Sequence, residues 1–212
     1  MSGARAEKHR FDLDGGTAAL DFVNTVSGMR GVRPREHLAG YEDLVYWAQQ
    51  ARLLDKASAE RLYAAAQRHP RRAEEAFARA ILTREALHDV VAAAVEREPP
   101  PDTALAIVNA WISEAFAHRR LRPAGPGRLS ASFDEDGDLL GFLRPVALDA
   151  VDVLERELGT GLVRRCEQSL EGECGWLFLD QTRNHSRRYC SMKDCGNRAK
   201  QRRHYQRRKV TS

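Results

Sequence analysis

The sequence predicts an α+β chain: a mainly helical body with one small β-hairpin, closed at its end by a compact module built on cysteines. Three observations predict it. Apolar residues recur at three- and four-residue spacing through most of residues 17–158. One stretch, residues 128–144, breaks that rhythm and carries a turn signal. All four cysteines, Cys166, Cys174, Cys190 and Cys195, fall within 30 residues near the end of the chain. With 42% hydrophobic and 30% charged residues, the 212-residue chain can build a core.

Residues 1–10 read as a mobile arm, and Phe11 to Leu13 as a short strand before Gly15-Gly16. Thr17 to about Val26 has helical spacing. Residues 28–40, with three Gly and one Pro, read as a loop. Tyr41 to Leu54 returns to helix, with Leu44, Trp47, Ala48 and Ala51 on one side. Ser58 is placed to N-cap a short helix that ends before Pro70. Arg71 to Glu96 is the strongest helical segment, carried by Phe77, Ile81, Leu87, Val91 and Val95. The run Pro99-Pro100-Pro101 ends it. Asp102 can cap the next helix, Thr103 to His118, whose stripe is Leu105, Val108, Ile112 and Phe116. Arg128–Phe133 and Leu139–Leu143 then flank Asp136-Gly137, a hairpin turn signal. Val146 to Leu158 is helical again, and Gly159 with Gly161 marks the edge of the body. The division predicted is a body over residues 1–160 and a module over 161–212.

The cysteine spacing is C-x7-C, then fifteen residues, then C-x4-C. Two close pairs joined by a short insert can set four thiolates around one tetrahedral zinc. Four Cys leave no open coordination position, so the metal is structural rather than catalytic. The insert begins with an apolar strand, Gly175 to Leu179. Asn184 can turn the chain, and Arg187 to Tyr189 can return antiparallel. Asp194 is placed to cap a helix that starts at Cys195. This arrangement is a treble-clef-like zinc finger. So small a module buries too little apolar surface to fold without its metal.

The net charge of +4 hides an asymmetry. Residues 183–212 hold eleven Lys and Arg against one acid, a balance of +10 that leaves −6 for residues 1–182. From Cys195 to Lys209 basic residues lie on every helical face, so the segment cannot be a core helix. Arg198, Arg202 and Lys209 share roughly one face, and Lys200, Arg203 and Arg207 another. Pairs such as Arg203/Arg207 repel, and a polyanion relieves the repulsion. The candidate contacts to double-stranded DNA are Arg183, Arg187, Arg188, Asn197, Arg198, Lys200, Arg202, Arg203, Arg207 and Arg208.

Residues 176–208, WLFLDQTRNHSRRYCSMKDCGNRAKQRRHYQRR, resemble the CGNR-type zinc finger of bacteria, whose signature is here Cys195-Gly196-Asn197-Arg198. Upstream, LDFVNT at residues 20–25, after Gly-Gly, resembles the start of the ABATE domain that accompanies this finger. That family is described as a putative stress-induced transcription regulator. The resemblance implies that the four cysteines bind one structural Zn2+ and that the finger binds DNA. The chain departs from the family at its first cysteine pair, usually C-x4-C, where Ser169 to Gly172 lengthen the knuckle.

A second group of residues interrupts the apolar stripes. Arg84 and His88 fall on the stripe of the longest helix, Asn109 on that of the next, and Asp21 and Asn24 on the first. Buried polar groups need partners. One reading is an internal network, such as Asp21 with Arg84. The other is a pocket in which Arg84 meets a small anionic effector, oriented by Asn24 and Asn109.

No apolar run is long enough for a membrane span, and no signal-peptide pattern opens the chain, so the expected compartment is the cytoplasm. The body lacks G-x-S-x-G, HExxH and P-loop patterns, which argues against an enzyme. The function expected is a DNA-binding transcription regulator, with a helical domain for sensing or dimerisation and a homodimer expected on palindromic sites. The alternatives are an RNA-binding protein, an enzyme recruited to nucleic acid by the finger, and a protein-interaction module.

Overall fold

The computed structural model describes residues 10–134 and 136–210. The mobile-arm reading of residues 1–9 lies outside them. The chain runs through α1 (Ala18–Val23), β1 (Val26–Ser27), β2 (Arg35–Glu36), α2 (Tyr41–Gln50), α3 (Lys56–Arg68), α4 (Pro70–Glu96) and α5 (Asp102–Ala117). A β-ribbon follows, β3 (Arg119–Pro123) and β4 (Leu129–Phe133), then α6 (Arg144–Asp152) and a short α7 (Leu158–Thr160). The module holds β5 (Val163–Arg165), β6 (Leu177–Leu179) and α8 (Asn197–Val210). Among the described residues helices dominate, with three small antiparallel two-stranded sheets, as the α+β reading requires.

The helices form where their apolar spacing predicts, with shifted ends. Thr17 caps α1, its hydroxyl accepting from Leu20 N. Asp55, not Ser58, caps α3, because the Asp55 carboxylate accepts the Ser58 N–H at 2.7 Å. Pro70 opens α4 at its first position, where no N–H is needed. Asp102 is the first residue of α5 and caps nothing; Pro101 precedes it. The buried face of α5 is Ala104, Val108 and Ala115, so the predicted stripe is rotated, with Leu105 and Phe116 exposed. Phe11 to Leu13 forms no strand among the described residues. Phe11 is buried, and its N–H donates to Gln50 Oε1.

The hairpin differs most from expectation. Leu129–Phe133 pairs backwards with Arg119–Pro123, not forwards with Leu139–Leu143. Asp134, Asp136 and Asp138 are drawn instead to Arg144, a buried guanidinium whose Nη1 donates to the Asp134 carbonyl and whose Nη2 donates to the Asp136 and Asp138 carboxylates. Leu139, Leu140, Phe142 and Leu143 are then all buried in one tight turn, which a strand with alternating faces could not achieve.

The core sits where α1 crosses α4 and α6, with α2 and α5 against α4. Phe22, Leu20, Val23, Trp47, Leu87 and Val146 are fully enclosed there. The module shares this core, since β6 packs on α1 and β5 on α4.

Candidate functional site

β5 and β6 form a hairpin, and its loop is the first cysteine knuckle. Val163 pairs with Leu179, and Cys166 N–H donates to Trp176 O. The lengthened knuckle folds as a tight 3-10 turn, Glu167–Glu171, closed by Gly172 in the left-handed region. The strand predicted to pair with Gly175–Leu179 was Arg187–Tyr189, but the partner lies upstream. Residues 180–187 instead wrap around Asp180. That wholly buried carboxylate accepts from Thr182 N, Thr182 Oγ1 and Arg187 N, and meets Arg164 at 3.2 Å. A turn from Met192 to Gly196 then leads into α8, so Asp194 lies inside the first turn rather than capping it.

This path brings Cys166, Cys174, Cys190 and Cys195 together, all buried, with their sulfurs within 4.8 Å of one another. Cys174 and Cys190 Sγ are 3.7 Å apart, Cys190 and Cys195 Sγ 3.6 Å. Four sulfurs at zinc–thiolate bond lengths stand about 3.8 Å apart at the corners of a tetrahedron. The geometry therefore fits zinc. Hydrogen bonding with Cys166 first, and then burial, push the thiols of Cys174 and Cys190 above their usual range. A bound cation lets all four clustered thiols ionise together. His185 and His204 stand outside the cluster.

The ABATE family, described as "Putative stress-induced transcription regulator", matches residues 16–157, and the CGNR zinc finger matches residues 163–208. The chain belongs to the ABATE family. Its C-terminal module is a CGNR zinc finger that holds one zinc ion. No curated protein matches the chain.

The CGNR tetrapeptide is now readable atom by atom. Cys195 is the fourth sulfur. Gly196 is buried, and a Cβ there would lie 2.8 Å from Met192 Sδ. Asn197 Nδ2 donates to Lys193 O at 2.8 Å and ties the helix to the preceding turn. Arg198 Nη2 donates to Cys195 Sγ at 3.1 Å. A zinc with four thiolates carries a net double negative charge, and Arg198 offsets it from outside the ligand sphere.

The LDFVNT motif is equally legible in this ABATE chain: it is the seam onto which the finger docks. Leu20, Phe22 and Val23 fill the core. Buried Asn24 clamps the β6 backbone, donating to Leu177 O at 2.8 Å and accepting Leu177 N–H at 3.1 Å. Trp176 Nε1 donates to Val26 O, and Leu179 N–H to Gly15 O. Asp21 Oδ1 accepts the Gly15 N–H at 2.7 Å. A Cβ on Gly15 would stand 2.8 Å from Asp21 N, which explains the first glycine. Alternate residues of β6 serve the two sides of the seam: Leu177 and Leu179 join the body core, Trp176 and Phe178 the cysteine cluster.

The basic residues divide into two groups. Arg187 is engaged within the finger and across the seam to the body. It donates to Asp14 O, Tyr189 O and Cys190 O and lies 4.5 Å over the Phe178 ring. Arg188 pairs with Glu167. On α8, Arg202 meets Glu171 at 2.8 Å and Arg198 approaches Glu173 at 3.9 Å, so that face turns towards the acidic knuckle. Lys200, Arg203, Arg207 and Arg208 are exposed on the rest of the helix, and Arg183 is exposed on the loop before it. The knuckle acids escaped sequence reasoning. Their signal is a match of charge, QSLEGE against RAKQRR.

The five residues of the predicted pocket do not converge. Arg84 is buried and saturated by protein. Its Nη1 and Nη2 grip Glu36 at 2.8 and 2.6 Å, Nη1 also donates to Thr25 Oγ1, and Nε donates to Glu85. Its carboxylate partner is thus Glu36, not Asp21. Burial works against ionised Glu36, yet the Arg84 guanidinium holds its carboxyl below the usual range. His88 is buried beside Asp89, and burial lowers its pKa. Asn109 is exposed, since the buried face of α5 is rotated. Asp21 and Asn24 alone of the five line a cavity of about 140 Å³ at the seam, with Phe11, Ser27, His37 and Trp176.

Proposed function

We propose that this protein is a transcription regulator whose CGNR finger binds double-stranded DNA through the outward face of α8. The supporting observation is the orientation of that helix. The zinc cluster fixes its first turn, and the knuckle acids engage Arg198 and Arg202, which leaves Lys200 and Arg203 facing outwards with Arg207. A rigid helix with a basic outer face suits a groove lined by phosphates. The body, residues 1–160, repels DNA by its net −4, and the module, residues 161–212, attracts it with a net +8.

In this reading the protein is cytoplasmic, acts by binding rather than catalysis, and pairs as a homodimer on two half-sites. Sensing takes place at the seam cavity, where a small polar molecule touching Asp21, Asn24 and Trp176 would shift the finger against the body. The carboxylate of Asp21 there disfavours the anionic effector that Arg84 suggested. The test is a competition between duplex DNA and structured RNA for the zinc-loaded chain at matched salt. Preference for the duplex is the expected result. Preference for RNA would transfer the same basic helix to the RNA-binding alternative.

A further inference from the structure

The β3–β4 ribbon plays no part in the zinc site or the seam. It leaves the body where α5 ends, and all five residues of β3 are exposed. Its base packs near Arg79, which meets Asp138 and Glu114. The finger docks at the other end of α4, where Arg165 meets Glu96. These two points lie about 25 Å apart along the helix.

A lone two-stranded ribbon is marginal in water, and its edges offer unpaired backbone groups to any strand that meets them. The two edges here are unlike. Asp134 N–H bonds His118 O and Ala124 N–H bonds Arg128 O, which fixes the alternation of the ladder. The N–H and C=O groups of Leu129, Ala131 and Phe133 therefore point outwards from β4, and those of Arg119, Leu121 and Pro123 from β3. The β3 edge is blocked. Pro123 has no N–H, Arg120 Nη1 caps the Arg119 carbonyl at 3.0 Å, and three arginines crowd the strand. The β4 edge, Leu-Ser-Ala-Ser-Phe, has no charge, proline or glycine, the usual protections of an exposed edge. No third strand covers it among the described residues. One face of the ribbon is also apolar and exposed. Leu121 is 71% and Leu129 66% accessible, flanked by Pro123 and Ala131.

We infer that β4 is a self-association edge: two copies of this chain pair their β4 strands antiparallel about a two-fold axis through Ala131. An antiparallel strand paired with itself is isologous and closes at two subunits. The outward groups of Ala131 exchange both hydrogen bonds with Ala131 of the second copy, and Leu129 pairs with Phe133. The four-stranded sheet that results carries the arginines on its outer edges. Pairing through β3 about Leu121 would instead set Arg120 of each copy against Arg122 of the other. The charge pattern thus selects β4. This deepens the homodimer part of the proposed function and leaves both fingers clear.

The experiment is sedimentation equilibrium of the zinc-loaded chain without DNA. The expected mass is twice 23.9 kDa. Ala131→Pro removes an N–H that the hairpin itself does not use, so it should give a folded monomer with unchanged circular dichroism. In case that variant misfolds, Ala131→Cys brings two thiols across the axis within disulfide range, and mild oxidation should yield a covalent dimer. A monomeric wild type, a dimer unmoved by Ala131→Pro, or no cross-link from Ala131→Cys overturns the inference. Duplex binding by the same samples reports on the finger separately.

Discussion

At the scale of single residues, the polar groups on apolar stripes turn out to be joints. Asn24 holds the finger strand, Arg84 holds the β1–β2 turn through Glu36, and Arg144 gathers the acids below the ribbon. The burial of Asn24 and Arg84 was legible from their helical spacing among apolar residues, but the same spacing misplaced Asn109, which is exposed, and did not single out Arg144. The partners of Asn24 and Arg84 were not legible, because Glu36 and Leu177 lie in segments with no periodic signal. Asp21 is the joint with a pH signature. Burial, aided by the nearby carboxylates of Asp14 and Asp149, raises its pKa to about 7, against the pull of the Gly15 N–H and of Arg187. The folded chain therefore holds a proton that the unfolded chain releases from about pH 4 upwards. Stability contributed by this protonated group is lost as pH rises from there to about 7. Asp21→Asn keeps an acceptor for Gly15 and cannot ionise. Denaturation from pH 5 to pH 8 should show the variant gaining on the wild type, by on the order of 2 kcal/mol at the upper end. Parallel pH profiles for the two proteins would refute the assignment.

At the scale of elements, α4 and the cysteine spacing were the most legible features. Both rest on long or rigid patterns. The hairpin and the α5 stripe were misread for local reasons. Asp136-Gly137 is a turn signal, but its acids answer to Arg144. On α5 the residues buried deepest are Ala104, Val108 and Ala115, and small side chains allow close helix packing that a search for large ones overlooks. The finger strand β6 serves two cores at once, which sets an expectation for metal removal. Chelation of zinc should release the cysteine cluster and expose Trp176, now only 8% accessible, shifting its emission to the red. Because Leu177, Leu179 and Val163 belong to the body core, the body should melt at a lower temperature in the same step. An unchanged melting curve after zinc loss would mean that the body does not depend on the finger.

At the scale of the whole molecule, the charge asymmetry read from the sequence acquires direction. The +10 of the last thirty residues is not spread evenly over the surface. Arg187 is taken up by the fold, and Arg188, Arg198 and Arg202 by acids of the knuckle turn and the residues beside it. What remains outward is the face of Lys200 and Arg203. The most direct test is duplex binding by the zinc-loaded chain across a salt series, with and without the paired substitution of Lys200→Ala and Arg203→Ala. Loss of two phosphate contacts should weaken binding about ten-fold or more and reduce the slope of log affinity against log salt by about 2. An unchanged affinity and slope would contradict the assignment of α8 as the DNA-binding element.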